Sequence, residues 1–259
     1  VITSAQNPKI QWVRALQAKG RQRRAEGVCV IEGVRLAEEA LASGWPVRLA
    51  LLGENLTPRA AALADTLTGS GAPLERVSDR VLASAADTQT PQGVLLVLEV
   101  PTLPLPPQLD FVFLPDRLRD PGNLGTMLRT AAAAGVQAVL LPPETVDPFA
   151  PKVLRAAMGA HFRLPLRLLS WPEIGELAAQ HALTVYLADA GGGSAHTAAD
   201  LRRPLLLVIG GEADGASPEL RALAHVPIHI PMPGGSESLN AAAAAAILLF
   251  ETVRQRENP

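Results

Sequence analysis

One cysteine stands in 259 residues, and a lone Cys29 rules out an intrachain disulfide and any cysteine-based zinc cluster within one chain. In the apolar run around it the thiol is expected to fill a buried strand position. No stretch reaches eighteen consecutive uncharged apolar residues without Gly, Pro or Ser breaking it, so no membrane-spanning helix is expected. The first residues also lack the apolar core of a signal peptide, and the expected compartment is the cytoplasm. His161, His181, His196, His225 and His229 show no metal-ligand spacing, so no metal site is expected; His225 and His229 read as residues at the edges of a strand. A P-loop lysine pattern is missing. Gly191-Gly192-Gly193 follows a strand but lacks the GxGxxG spacing of a dinucleotide turn, and it reads as a flexible loop. There is no internal repeat and no long low-complexity tail.

Negative charge is missing from the start of the chain. Lys9, Arg14, Lys19, Arg21, Arg23 and Arg24 all precede the first acidic residue, Glu26, although the net charge of the whole is −2. The overall balance does not suggest a nucleic-acid binder, but this local field does; the bland alternative is a solvated helix face. The six cations are the candidate nucleic-acid-binding residues.

With 48% hydrophobic residues, the chain is globular in class and long enough for one large or two moderate domains. Val100 to Leu109, VPTLPLPPQL, carries four prolines and can form neither a helix nor a full ladder, so it is the best linker candidate. The expected organisation is residues 1–99, a linker at 100–109, and residues 110–259. Before the linker, periodicity predicts helices near Asn7–Ala18, Val34–Ser43 and Pro58–Leu67, and strands at Val28–Ile31, Val47–Leu52 and Gly93–Glu99. After it come continuous apolar runs at Phe111–Leu114, Val136–Leu141, Leu183–Leu187, Leu205–Ile209 and Val226–Ile230. Runs without alternating polarity suit strands buried on both faces of a largely parallel sheet, and such sheets collect ligands at their carboxyl edge.

Three polar loops fall at those strand ends. Asp120-Pro121-Gly122-Asn123 reads as a turn and helix start, leading into a helix of small and apolar residues that nevertheless carries Arg129, a guanidinium placed to meet an anion. Gly210 to Ser217 opens with two glycines, Gly210 and Gly211, that allow close backbone approach, then Glu212, which could reach a ligand or pair with Arg129; Ser217-Pro218 reads as a helix N-cap followed by proline at the first position. Ile230 to Phe250, IPMPGGSESLNAAAAAAILLF, places Gly234 and Gly235 before the polar tips Ser238 and Asn240, then an alanine run against which another segment can pack closely.

In order and spacing, DPGNLGTMLRTAAAAG, IGGEADGAS and IPMPGGSESLNAAAAAAILLFE resemble the three signature motifs of the SpoU (TrmH-like) RNA 2′-O-ribose methyltransferases of the SPOUT superfamily. KVLRAAMGAHFRLP, between the first two, is also similar to that family, and the first half resembles its substrate-binding domain. The resemblance implies an α/β fold: a C-terminal SPOUT domain with a mostly parallel sheet and a deep trefoil knot, preceded by a small α/β substrate-binding domain. It implies S-adenosylmethionine as cofactor, a homodimer formed through the C-terminal domain, and 2′-O-methylation of RNA, with ribosomal RNA favoured over transfer RNA. Matched residue by residue, it makes Arg129 the central catalytic group, with Asn123, Glu212, Ser238 and Asn240 around it, and cofactor binding at Gly210, Gly211, Ile230, Met232, Ser238 and Leu239. Gly211 departs from a position often held by asparagine, and Ala157 from one where serine is common. A catalytically idle RNA-binding factor of the same fold is the rival, which retention of Arg129, Glu212, Ser238 and Asn240 argues against. A nicotinamide-dependent enzyme built on the glycine triplet lacks the fingerprint.

Overall fold

The computed structural model describes residues 1–211, 216–223 and 225–257, and the chain divides into two compact units. The first takes Val1–Pro101 together with Asp147–Phe162; the second takes Thr102–Val146 and Arg163–Pro259. The Pro-rich stretch thus begins where the first unit's leading span ends, while sixteen residues from the later half, counted from 147 to 162, join the first unit.

In the first unit, α1 (Pro8–Ala18) starts at Asn7, whose side chain accepts from the Lys9 N–H, with Pro8 in the first turn. A short α2 (Gly20–Glu26) ends at Gly27, which takes the left-handed conformation at φ 64°. There follow β1 (Val28–Glu32), α3 (Val34–Ala42), β2 (Val47–Leu52), α4 (Pro58–Gly69), β3 (Leu74–Arg76), α5 (Asp79–Ala85) and β4 (Val94–Glu99). The sheet order is β1-β4-β2-β3, with β4 antiparallel to both neighbours. Side chains alternate between two cores. Val28, Val30, Leu49, Leu51, Leu95 and Val97 cluster with α1 and α5. Cys29, Ile31, Ala50, Leu52, Leu96 and Leu98 cluster with α3 and α4. A sheet covered on both faces explains why its strands read as unbroken apolar runs. Cys29 is fully buried, and burial pushes its thiol up to about 12.

The same unit corrects one sequence expectation. Arg23 does not face solvent: only 5% of its side chain is exposed, and its guanidinium lies 2.6 Å from the Asp147 carboxylate. It also donates to the backbone carbonyls of Leu16 and Gln17. With its donors engaged inside, Arg23 is a tie between α2 and the 147–162 segment, not an RNA contact.

The second unit runs β5 (Phe111–Pro115), α6 (Pro121–Ala133) and β6 (Ala138–Leu141). After α7 (Pro151–Ala157), which belongs to the first unit, come β7 (Leu166–Leu168), α8 (Trp171–Gln180), β8 (Thr184–Ala188), β9 (Ser194–Ala195), β10 (Leu205–Ile209), α9 (Pro218–Ala222), β11 (Val226–His229) and α10 (Ala241–Glu257). All its strand pairs are parallel, in the order β7-β6-β5-β10-β8-β11-β9. Val112, Leu114, Val185, Leu187, Leu206 and Val208 form one core with Ile174 and Ala178 of α8 and Leu220 of α9. α10 packs on α6 and on β10, and the burial of Ala241, Ala242 and Ala245 shows what the alanine run does: it lets that helix lie close. No helix among the described residues is long and apolar enough to cross a membrane.

Candidate active site

The carboxyl ends of β5, β10, β8 and β11 share one edge of the parallel sheet, where ligands of such folds bind. Local chemistry shapes the first loop there. The Asp120 side chain caps α6 by accepting from the Asn123 N–H at 2.7 Å, and Pro121 follows in the first turn. This loop is joined to the third: Asn240 Nδ2 donates to Asn123 Oδ1 at 3.1 Å. Asn240 also caps α10, its Oδ1 accepting from the N–H groups of Ala242 (2.9 Å) and Ala243 (3.2 Å). Two backbone donors at one end fix the amide orientation, so the other end must be the nitrogen that reaches Asn123. Asn240 therefore positions both the helix and the loop.

The second loop is tied to the first from below. Asp116, fully buried after the last apolar residue of β5, accepts from the Ser217 N–H at 2.7 Å, and Ser217 caps α9 as its sequence suggested. Burial pushes the Asp116 carboxyl above its ordinary range, against the opposing pull of the Ser217 hydrogen bond. A Cβ at Gly211 would meet the Arg117 carbonyl oxygen at 3.1 Å and that of Asp116 at 3.4 Å, so the chain crosses closely here and a side chain would need that backbone to shift by a few tenths of an ångström. Asp116 lay outside the sequence-derived site because nothing near it in the chain marks its partner, 101 residues away.

Between these loops lies a cavity of about 730 Å³. Asn123, Gly210, Gly211, Ile230, Met232, Ser238, Leu239 and Asn240 all line it, so eight of the ten residues singled out for cofactor or chemistry converge there. Arg129 does not line it; it is exposed on α6, roughly 9 Å along the helix axis from Asn123 at 1.5 Å per residue. Its guanidinium makes no hydrogen bond or ion pair with any described residue. Glu212 lies outside the described residues. Asp120, Asp189, Arg221 and His229 also face the cavity; in the sequence Asp120 reads only as the start of the turn before α6, and the other three stand in no recognisable spacing. In the first unit Lys9, Arg14, Lys19, Arg21 and Arg24 are exposed, with Lys9 paired to Glu75 and Arg24 3.8 Å from Asp147.

A family profile described as the SpoU rRNA Methylase family matches residues 110–250, and one described as an MRM3-like substrate binding domain matches residues 7–96. This chain belongs to the SpoU rRNA methylase family. Among its relatives, the 23S rRNA (guanosine(2553)-2′-O)-methyltransferase RlmP of Bacillus subtilis is 35% identical, the match covering 96% of this chain and 97% of that protein. The SpoU methyltransferase AviRb from Streptomyces viridochromogenes, solved in complex with AdoMet, superposes with a TM-score of 0.87 at 32% identity, covering 98% of this chain and all of that one (100%). An AdoMet-bound rRNA methyltransferase from Sinorhizobium meliloti gives 0.87 at 31% identity, covering 98% and 97%.

The cavity of this SpoU-family protein fits S-adenosylmethionine by its own chemistry. Its volume is in the range of small-molecule sites. Leu187, Ile209, Ile228, Ile230 and Leu239 supply apolar walls for a purine, strand ends supply backbone groups for its edge, and the carboxylates of Asp120 and Asp189 give the lining a negative character that suits a cationic ligand. Among the described residues no group of His, Cys, Asp and Glu is placed to hold a metal ion.

Proposed function

We propose that this chain methylates a ribose 2′-hydroxyl of RNA, using S-adenosylmethionine, with ribosomal RNA the substrate and transfer RNA the lesser alternative. One observation carries the reading: three loops of the SpoU signatures meet on a single cavity, with an exposed arginine on the helix that leaves the first of them. The names of the relatives, RlmP among them, support the ribosomal substrate.

The bound cofactor supplies an electrophilic methyl group. The chain must then hold the ribose hydroxyl in line and stabilise the negative charge that grows on its oxygen as its proton passes to water. Arg129 suits the second task. A guanidinium does not give up its proton near neutral pH, so it acts as a hydrogen-bond donor to the developing alkoxide or the adjacent phosphate and not as a base. One preorganised donor of this kind contributes about 3–4 kcal/mol of transition-state stabilisation. Asn123 and Asn240 hold the rim through their mutual hydrogen bond, and Ser238 stands beside them.

The remaining assignments form part of the same reading. Residues 1–99 bind RNA through Lys9, Arg14, Lys19, Arg21 and Arg24, residues 100–109 link, and residues 110–259 hold the cofactor in a knotted fold. The protein works as a homodimer through its C-terminal unit, in the cytoplasm where bacterial ribosomes are found. Transfer of a labelled methyl group from S-adenosylmethionine to RNA tests the activity. Arg129→Ala should lower transfer by at least a few hundredfold with calorimetric affinity for S-adenosylhomocysteine kept within about threefold. Transfer that persists undiminished in that variant sinks the mechanism.

A further inference from the structure

Gly191-Gly192-Gly193 has two explanations, one for its last residue and one for the first two. Gly193 sits at φ 76°, and a Cβ there would lie 1.8 Å from the Pro227 carbonyl oxygen, so only glycine fits beside β11. Neither constraint applies to Gly191 or Gly192: their backbones are not left-handed, and an added Cβ would meet no atom closer than 3.7 Å. What their Cβ atoms would approach is one carboxylate. The Cβ of residue 191 would stand 3.7 Å from Asp189 Oδ1, and that of residue 192 would stand 3.8 Å from Asp189 Oδ2. The two glycines leave that carboxylate uncovered.

Asp189 is the first residue after β8 and lines the cavity. Its N–H donates to the Ile228 carbonyl at 2.9 Å, which fixes the backbone against β11. Its Oδ1 accepts from the Gly191 N–H at 3.0 Å, which fixes the side chain. Oδ2 receives no hydrogen bond from any described residue. An ionised carboxylate only accepts, so its open oxygen calls for a donor on the ligand. The half of the cofactor that offers neighbouring O–H donors is the ribose, with its 2′,3′-diol, and a carboxylate at the carboxyl end of a parallel strand is well placed to receive it.

We propose that Asp189 recognises the ribose diol of the cofactor, making it a specificity-determining residue for ribonucleoside over deoxyribonucleoside ligands. The proposal rests on S-adenosylmethionine as the cofactor of this cavity. The competing role for the carboxylate is to offset the positive charge of the methionine end, and the two roles separate by experiment.

Isothermal titration calorimetry on the full chain would compare S-adenosylhomocysteine with its 2′-deoxy and 3′-deoxy forms. Wild-type protein should bind at least one deoxy form roughly tenfold or more weakly, the effect of losing a hydrogen bond to a charged group. Asp189→Asn keeps the Oδ1 bond to Gly191 and hence the turn; it should bind the parent ligand roughly tenfold more weakly and distinguish the deoxy form by less than about threefold. Wild-type affinities within twofold for all three ligands would overturn the proposal without reference to any variant. Equal weakening of ribo and deoxy ligands by Asp189→Asn would also overturn it and assign the carboxylate to the cationic end. Failure of the wild-type protein to bind any of the three would overturn the cofactor assignment itself, and the proposal with it.

Discussion

Removing the Arg23 guanidinium would leave the Asp147 carboxylate, only 12% exposed, with Arg24 at 3.8 Å as the remaining neighbouring cation. Arg23→Leu should therefore cost about 3 kcal/mol in urea unfolding, the penalty for stranding one member of a buried pair. Arg21→Ala, on an exposed position of the same helix, should leave stability within about 0.5 kcal/mol while weakening RNA binding. Equal stability losses in the two variants would return Arg23 to the surface. His161 sets a pH limit in the same unit. It is 2% exposed, its Nε2–H donates to the Pro148 carbonyl at 2.7 Å, and no described residue bonds Nδ1. Burial is the main cause that lowers its pKa from 6.5 to about 4. Between those values the unfolded chain binds the proton and the folded one does not. Stability conferred by the neutral ring is thus full above pH 6.5 and lost as pH falls towards 4, by up to about 3 kcal/mol. Urea midpoints measured across that window should fall with acid in wild type and fall less in His161→Gln; parallel curves would show that His161 is not the group responsible.

Exposed apolar residues on α10 fall in one line. Ala243, Ile247 and Phe250 follow at intervals of four and three, and Ile247 and Phe250 are 38% and 48% exposed on the face away from the buried Ala241, Ala245, Leu248 and Leu249. Large side chains in such a stripe call for a partner. Ile247→Arg combined with Phe250→Arg should turn the proposed dimer into a monomer in sedimentation equilibrium, with the α/β circular dichroism intact; a dimer that withstands both charges would put the interface elsewhere. Elements of this size were legible in the sequence because their signals are local. Asn7, Thr57, Asp120 and Ser217 each accept from a backbone N–H two or three residues on, and proline follows each of them. The short strands Leu74–Arg76 and Ser194–Ala195 carry no periodicity, and exist only because a neighbour pairs with them. The Arg23–Asp147 tie spans 124 positions, so no window of sequence could have removed Arg23 from the basic face.

Across the whole molecule, the candidate site was legible where several residue types recur in a fixed order, as in the three signature loops, and illegible where one side chain acts alone. Asp116 and Asp189 are single acidic residues at strand ends: the partner of the Asp116 carboxylate, Ser217, and that of the Asp189 backbone N–H, Ile228, come from distant segments. The electrostatics follow the same rule: six cations before Glu26 suggest six phosphate contacts, whereas the fold leaves five outside. Each neutralised phosphate contributes about 0.7–0.9 to the slope of log affinity against log salt, so five bound the first unit's contribution at about −3.5 to −4.5. Lys9 and Arg24 have carboxylates beside them, and exposed pairs of that kind are weak enough to exchange for phosphate at little cost. If both remain paired, Arg14, Lys19 and Arg21 alone give about −2 to −3. Filter-binding of structured ribosomal RNA between low and moderate salt should thus give a slope between these limits. Arg14→Ala and Arg21→Ala should each reduce it by nearly one, and Arg23→Leu, measured where the protein stays folded, should leave it unchanged. A flat response would remove the phosphate-binding role of the first unit, and a slope changed by Arg23→Leu would place that guanidinium at the RNA after all.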